Sequence, residues 1–170
     1  IKWFYDIIDA DRKNKNSYKN KSEIKNLLYL FVDNCPSKKG PENCKKFVDY
    51  GMENSSDYGK YKQRIFKSIN LLEKNYNSID SQKNMENYKD YIVNAYNKKK
   101  TPTILFVKGN VGEIDALFTK IRNAFAHKNY YKKGNYYIIW NESTKKDKLS
   151  CFIMLKYIHL QSIFNELNTK

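Results

Sequence analysis

The chain has no apolar run of about 18 residues, the length that a helix needs to cross a bilayer. Its start also lacks a basic segment followed by an apolar stretch and a small-residue cleavage site, so no secretion signal is predicted. It begins at Ile1 rather than Met, which leaves open that it is part of a longer protein. We therefore expect a soluble, cytoplasmic chain that has no membrane partner.

Cysteine is also scarce, with only Cys35, Cys44 and Cys151 in 170 residues. An odd number of cysteines in a chain without a secretion signal favours free thiols in a reducing compartment. A Cys35–Cys44 disulfide across the intervening loop is the alternative. The nine-residue separation of these two cysteines fits no zinc-knuckle spacing, so we predict neither a metal site nor a cofactor.

Acidic residues are too few to balance the basic ones: 18 Asp and Glu face 32 Lys and Arg, for a net charge of +14. Such an excess favours polyanionic partners, of which RNA is the one we predict. Nearly all of the basic residues are lysine, since arginine occurs only three times. Because AT-rich coding sequence also enriches lysine, an interaction domain whose basicity is only compositional remains an alternative.

Apolar residues recur at helical spacing in five segments, which predicts helices over about 22–35, 58–76, 82–97, 112–127 and 149–168. The stretch 104–107 is too short to classify. Residues 130–141 have the tyrosine- and isoleucine-rich composition of a short hairpin. We therefore predict a mainly α fold, a single helical bundle over residues 1–170 with a short β-hairpin after the helix 112–127.

The scarce arginine and histidine meet in that helix, where Arg122 and His127 lie five positions apart. At 100° per residue, Asn123 and His127 fall opposite the apolar stripe, and Arg122 lies on the flank between. The alternative is a purely structural role for both residues. Arg122 would then pair with Asp115 or Glu113, and His127 would stabilise the C-terminus of the helix as a cation. Small side chains near the motif would let a second copy of the helix approach closely, and this predicted dimer interface consists of Ala116, Thr119 and Ala126.

These residue types suit RNA cleavage without a metal. The 2′-hydroxyl attacks its neighbouring phosphate, so one group must accept a proton and another must protonate the leaving 5′-oxygen. An imidazole can do either near neutral pH, and a guanidinium matches two phosphate oxygens as a lysine point charge does not. Arg122 and His127 would act on the phosphate, and Asn123 would orient one of them. One imidazole cannot be base and acid at once, which makes two copies of the motif attractive.

Lysines and tyrosines would then hold the RNA through its phosphates and by stacking on unpaired bases. The predicted contacts are Lys98, Lys99, Lys100, Lys128, Tyr130, Tyr131, Lys132 and Lys133. The alternative for Tyr130 and Tyr131 is that their rings pack in the protein as ordinary strand residues.

Residues 122–127, R-N-A-F-A-H, resemble the R-N-x-x-x-H form of the R-x4–6-H motif of the HEPN superfamily (higher eukaryotes and prokaryotes nucleotide-binding domains). The following stretch 135–140 resembles a short hairpin in one branch, often found in phage-defence and toxin proteins. The specific match covers about thirty residues. It implies a metal-independent endoribonuclease that acts as a homodimer, with Arg122, Asn123 and His127 catalytic. It also implies a toxin–antitoxin or antiviral setting with an antitoxin or sensor partner. A non-catalytic HEPN module that binds RNA or nucleotide and dimerises a larger assembly is the alternative.

Overall fold

The computed structural model describes residues 1–13, 20–37, 44–98, 100–143 and 147–169. Across these residues the chain forms six α-helices and five β-strands. The helices are α1 Lys2–Arg12, α2 Lys21–Leu28, α3 Ser55–Ser68, α4 Lys89–Lys98, α5 Glu113–Ala126 and α6 Tyr157–Asn165. The strands are β1 Tyr76–Ile79, β2 Thr103–Val107, β3 Tyr130–Lys133, β4 Tyr136–Ser143 and β5 Lys148–Lys156.

The five strands form one mixed sheet in the order β1-β2-β5-β4-β3. Strands β1 and β2 are parallel, and the remaining neighbours are antiparallel. A bulge interrupts the β4–β5 pairing, because Asn141 pairs with Cys151 while the next residue, Glu142, pairs with Leu149. Ser150 is the extra residue, and its hydroxyl donates to the carbonyl of Asn141 at 3.3 Å. The bulge shifts the alternation of β5 by one residue, so Leu149 and Cys151 lie in the two different buried clusters on the opposite faces of the sheet.

Helices cover both faces of this sheet. On β2, Ile104 and Phe106 belong to a buried cluster shared with α2, α3, α5 and α6. Their neighbours Leu105 and Val107 belong to a second cluster shared with α1 and α4. Successive strand residues point to opposite faces, so the two clusters are separate cores on the two sides of the sheet. The fold is therefore a mixed α/β arrangement in three layers, and the prediction of a mainly α helical bundle is wrong.

The largest error concerns the predicted C-terminal helix 149–168. Residues 149–155 lie in β5, and each is at most 2 % exposed. A strand buried on both faces has no polar residue at alternate positions, so its apolar run resembles a buried helix. The helix α6 begins only at Tyr157.

The predicted helix 58–76 was also too long. It ends at Ser68, and Asn70 adopts a left-handed conformation with φ of 52°. Asparagine tolerates this conformation better than most residues, which allows the chain to turn toward β1. Tyr76, placed on the helical stripe by its spacing, instead begins that strand.

Three other predicted helices are found with modified ends. The segment 22–35 is helical as α2 followed by a π turn, Tyr29–Asp33. The segment 82–97 begins as a 3-10 helix, Gln82–Tyr88, and continues as α4. The helix predicted over 112–127 is confirmed as α5, and the hairpin 130–141 as β3 and β4. That hairpin is not an appendage to a bundle, because β4 pairs with β5 inside the sheet.

No helix within the described residues is long and apolar enough to cross a membrane. The three cysteines are free thiols, and Cys35 and Cys151 are buried.

Candidate active site

One stripe of α5 faces solvent. Thr119, Arg122, Asn123 and Ala126 follow the spacing i, i+3, i+4, i+7, and all are exposed, as is His127 directly after the helix. The opposite side of the helix is buried in the core through Ile114, Leu117, Phe118, Ile121 and Phe125. The burial pattern agrees with the helical wheel for the arginine and the histidine, which lie off the core face, but not for Ala116, which is buried.

His127 is the C-cap residue of α5, and backbone hydrogen bonds fix the chain on both sides of it. The N–H of Asn129 donates to the carbonyl of Ala124 at 2.8 Å, and the N–H of Lys128 donates to that of Phe125 at 3.2 Å. These two bonds form a Schellman motif, in which the residue after the cap adopts a left-handed conformation. That residue is Lys128, with φ of 59°. The chain then enters β3 directly, because the carbonyl of Asn129 accepts the N–H of Trp140 at 3.1 Å.

A lysine at this left-handed position is unfavourable, since the conformation crowds any side chain with a Cβ. We expect Lys128→Gly to raise the free energy of unfolding by about 1 kcal/mol. Urea denaturation monitored by circular dichroism measures this change. The matched control is Lys60→Gly, at an exposed position inside α3, which should lower the free energy of unfolding by a similar amount. Equal destabilisation in both variants would contradict the strain assigned to Lys128.

Within the described residues, the motif side chains are without charged partners. Arg12 pairs with Asp9 at 2.9 Å and Arg64 with Glu166 at 3.4 Å, whereas Arg122 makes no ion pair there. The sequence left open that Arg122 pairs with Glu113, but that carboxylate binds the ammonium group of Lys62 at 3.1 Å. Asp115, the other carboxylate considered, likewise forms no ion pair to a described residue. Arg122 therefore keeps its guanidinium available for an external anion.

The positive charge of Arg122 acts on the buried thiol of Cys35. Its Sγ donates to the carbonyls of Pro36 at 3.6 Å and of Phe118 at 3.7 Å. Burial raises the pKa of Cys35 to about 12, and the positive charge of Arg122 opposes that rise only in part. The group is thus a neutral thiol at physiological pH, so it does not serve as a second base beside His127.

The tyrosines after the motif do not offer ring faces to RNA bases. Tyr130 is 8 % exposed, and its ring packs on Phe125 with centroids 4.9 Å apart. Tyr131 is fully buried in the other core, where its hydroxyl contacts that of Tyr96. The prediction that Tyr130 and Tyr131 stack on bases is therefore wrong, because alternate residues of β3 face two cores rather than one core and solvent.

The two lysines that end β3 are held by carboxylates. Lys132 lies 3.0 Å from the carboxylate of Glu23, which also accepts the hydroxyl of Tyr137 at 2.6 Å. Lys133 lies 3.8 Å from Asp11. Lys128, by contrast, is exposed directly beside His127, so it is the predicted RNA contact that lies nearest to the motif.

The remaining predicted lysines lie elsewhere. Lys98 ends α4, and Lys100 precedes β2; both line a cleft at the far end of β3, together with Lys133 and Lys156. Lys99 lies outside the described residues. Lysine contacts for RNA were thus predicted as one set, but the structure divides them between two places. Lys156 could not be recognised from its neighbours in the sequence, because the register of β4 with β5 brings it there.

Ala116 does not belong to an exposed dimer surface. It is 3 % exposed and lies in the cluster between α5 and the sheet. On the same flank the side-chain amide of Asn141 in β4 donates to the carbonyl of Lys120. The sheet covers a wider arc of α5 than its apolar stripe suggests. Of the predicted interface residues, only Thr119 and Ala126 are exposed.

The exposed stripe thus combines a guanidinium, a carboxamide and an imidazole with two small side chains. This set can bind a phosphate and exchange one proton with a substrate. Comparison of the chain with protein-family models, curated proteins and solved structures finds no match. The function must therefore be inferred from these residues themselves.

Proposed function

We propose that this protein is a metal-independent endoribonuclease whose reacting groups are Arg122, Asn123 and His127. The observation that carries the proposal is that Arg122 is exposed and makes no ion pair to any described residue, on the exposed stripe that ends at His127, while the other two arginines are bound by carboxylates. The resemblance of residues 122–127 to the HEPN motif supports the same assignment. The central sheet departs from the predicted helical bundle, so the proposal concerns the chemistry of the motif and not the bundle.

In the proposed reaction, one imidazole accepts the proton of the 2′-hydroxyl as its oxygen attacks the adjacent phosphorus. A 2′,3′-cyclic phosphate forms, the bond from phosphorus to the 5′-oxygen breaks, and a protonated imidazole donates its proton to that oxygen. Arg122 binds the non-bridging oxygens, on which negative charge accumulates in the transition state. Asn123 orients the phosphate or the imidazole. The reaction needs no metal, because the two protonation states of imidazole supply both transfers.

A symmetric dimer would supply the second imidazole. Thr119 and Ala126 lie on the same exposed stripe as the motif, and their small side chains allow a twofold-related helix to lie close. Two Arg122 side chains facing each other would repel unless an anion lay between them. Phosphate should therefore strengthen the dimer by binding it in preference to the monomer.

RNA degradation of this kind would suit a toxin–antitoxin or antiviral system, in which an antitoxin or sensor restrains the nuclease. The second candidate is a non-catalytic module that binds RNA or a nucleotide and dimerises a larger assembly. The lysine-lined cleft at the other end of β3 favours it, because its described lining residues include four lysines but no histidine. The two candidates differ in whether His127 is required for turnover.

The test is incubation of a single-stranded RNA with the protein in EDTA. We expect cleavage fragments that end in 2′,3′-cyclic phosphate and begin with a 5′-hydroxyl, identified by mass spectrometry. The His127→Ala protein, purified in parallel, is the control for a contaminating nuclease. Equal cleavage by both preparations, or no cleavage of any RNA by the unaltered protein, would contradict the assignment.

A further inference from the structure

Four lysines surround a cleft of about 480 Å³ at one end of the sheet. They come from separate parts of the chain: the end of α4, the segment before β2, the end of β3 and the end of β5. The strand register brings two of them together, since Tyr136 pairs with both Lys133 and Lys156. The lysines are Lys98, Lys100, Lys133 and Lys156.

The cleft is strongly cationic. No carboxylate is among its described lining residues, and Lys98, Lys100 and Lys156 make no ion pair to any described residue. Lys133 is anchored, because its Nζ donates to the carbonyl of Tyr96 at 2.9 Å and lies 3.8 Å from Asp11. Three uncompensated ammonium groups beside one anchored ammonium group indicate an anionic ligand.

The walls of the cleft are aromatic and held in place. The hydroxyl of Tyr136 donates to the carbonyl of Lys100 at 2.6 Å, which fixes the ring at the entrance. The hydroxyl of Tyr96 donates to Asp11, and the Nζ of Lys133 lies 3.6 Å from the centre of that ring. The apolar side chain of Met154 also lines the cleft. Tyr96 and Met154 are only 4 % and 2 % exposed, whereas the ring of Tyr136 is partly exposed and is the apolar surface that a ligand can contact. A simple phosphate ion would leave that ring without a partner.

Lys156 contacts two aromatic side chains, His159 and Tyr136. Its backbone N–H donates to Nδ1 of His159 at 3.1 Å, and its Nζ lies 5.6 Å from the centre of the Tyr136 ring. Burial and the charge of Lys156 lower the pKa of His159, which therefore accepts this bond as a neutral imidazole. The ammonium group and the partly exposed ring of Tyr136 thus form one edge of the cleft together.

We propose that this cleft binds a phosphorylated nucleoside, with the lysines on the phosphates and the Tyr136 ring against the base. Its volume lies within the range of roughly 300–1,000 Å³ that is usual for small-ligand sites. The ligand is either a free nucleotide or the phosphorylated end of an RNA strand, because both present the same groups. The site is separate from the motif: three residues of β3 at about 3.3 Å each place Tyr130 and Lys133 roughly 10 Å apart. Binding here does not require that the motif cleave RNA.

The test is calorimetric titration with adenosine diphosphate, inorganic pyrophosphate, adenosine and a 5′-phosphorylated RNA trinucleotide. We expect adenosine diphosphate to bind at least about tenfold more tightly than pyrophosphate or adenosine, since neither alone contacts both parts of the cleft. Tighter binding of the trinucleotide than of the diphosphate would identify an RNA end as the ligand, and the reverse order would identify a free nucleotide. The trinucleotide is titrated into Arg122→Ala protein, so that cleavage does not consume it.

Two variants separate the phosphate and base contributions. Lys156→Gln should weaken the binding of adenosine diphosphate and of pyrophosphate by about tenfold each. Tyr136→Leu should reduce the affinity for adenosine diphosphate to that for pyrophosphate. Tyr136→Phe keeps an aromatic ring, so it should retain most of the difference between these two affinities. Lys98→Gln, at an exposed helix end, repeats the charge test if Lys156→Gln is poorly folded.

The matched control is Lys67→Gln, which removes one charge from the exposed side of α3 and should leave the affinity unchanged. Equal weakening by Lys67→Gln and Lys156→Gln would overturn the proposal, because binding would then follow net charge alone. The proposal would also be overturned if pyrophosphate bound as tightly as adenosine diphosphate. It would be overturned as well if neither adenosine diphosphate nor the phosphorylated trinucleotide bound at millimolar concentration.

Discussion

Arg122→Ala and His127→Ala should each lower kcat/KM for RNA cleavage at least ~100-fold, as is typical when a proton-transfer or phosphate-binding group is removed. Both side chains are exposed and make no ion pair to a described residue. The free energy of unfolding of each variant should therefore lie within about 0.5 kcal/mol of that of the unaltered protein. A fluorescence-quenched RNA substrate in EDTA measures the rate, and thermal unfolding measures the stability. The defect should appear without loss of fold.

Two controls sharpen this expectation. Arg122→Lys keeps the charge but loses the planar pair of donors, so it should recover only a small part of the lost activity. Lys67→Ala removes an exposed charge from α3 and should retain full activity. Full activity in His127→Ala would remove the imidazole mechanism. A large loss of stability in either motif variant would indicate a structural role for the residue.

Ala126→Trp should abolish both dimerisation and cleavage while the monomer stays folded. Ala126 is exposed at the last position of α5, so a bulky ring there would hold a second copy of the helix away without entering the core. Sedimentation at the assay concentration measures the dimer, with and without added phosphate. Lys67→Trp, near the end of α3, is the matched control and should leave dimer and activity intact. A monomer that is fully active would show that a second copy is unnecessary.

Mixing the two inactive motif variants tests whether one cleft draws on both chains. Each variant homodimer lacks every copy of one reacting group, whereas the mixed dimer keeps one Arg122 and one His127. The mixed dimer still lacks one of the two imidazoles, so water must make one of the two proton transfers. Activity in the mixture should exceed that of either variant alone, because one guanidinium and one imidazole meet in the cleft, but it should stay far below that of the unaltered protein. No gain after mixing, with mixed dimers demonstrated, would argue against a composite cleft.

The local structure of the motif helix was determined by the sequence alone. Five apolar residues at helical spacing specify which side of α5 is buried, and the structure agrees at each of them. The hairpin after it was likewise predictable from its composition. The functional hypothesis arose in the same way, from the rarity of Arg122 and His127 and from the chemistry of their side chains.

Tertiary structure decided what those local patterns could not specify. A strand covered on both faces, such as β5, has the apolar continuity of a helix, so only its pairing with β2 and β4 distinguishes the two. The same double coverage buries Tyr130 and Tyr131 on opposite sides of the sheet, and it buries Ala116 against the sheet. Lys156 lines one cleft with Lys133 only because of strand register, since Tyr136 pairs with both. Burial and long-range neighbours depend on contacts between distant segments, whereas periodicity and side-chain chemistry are properties of the sequence itself.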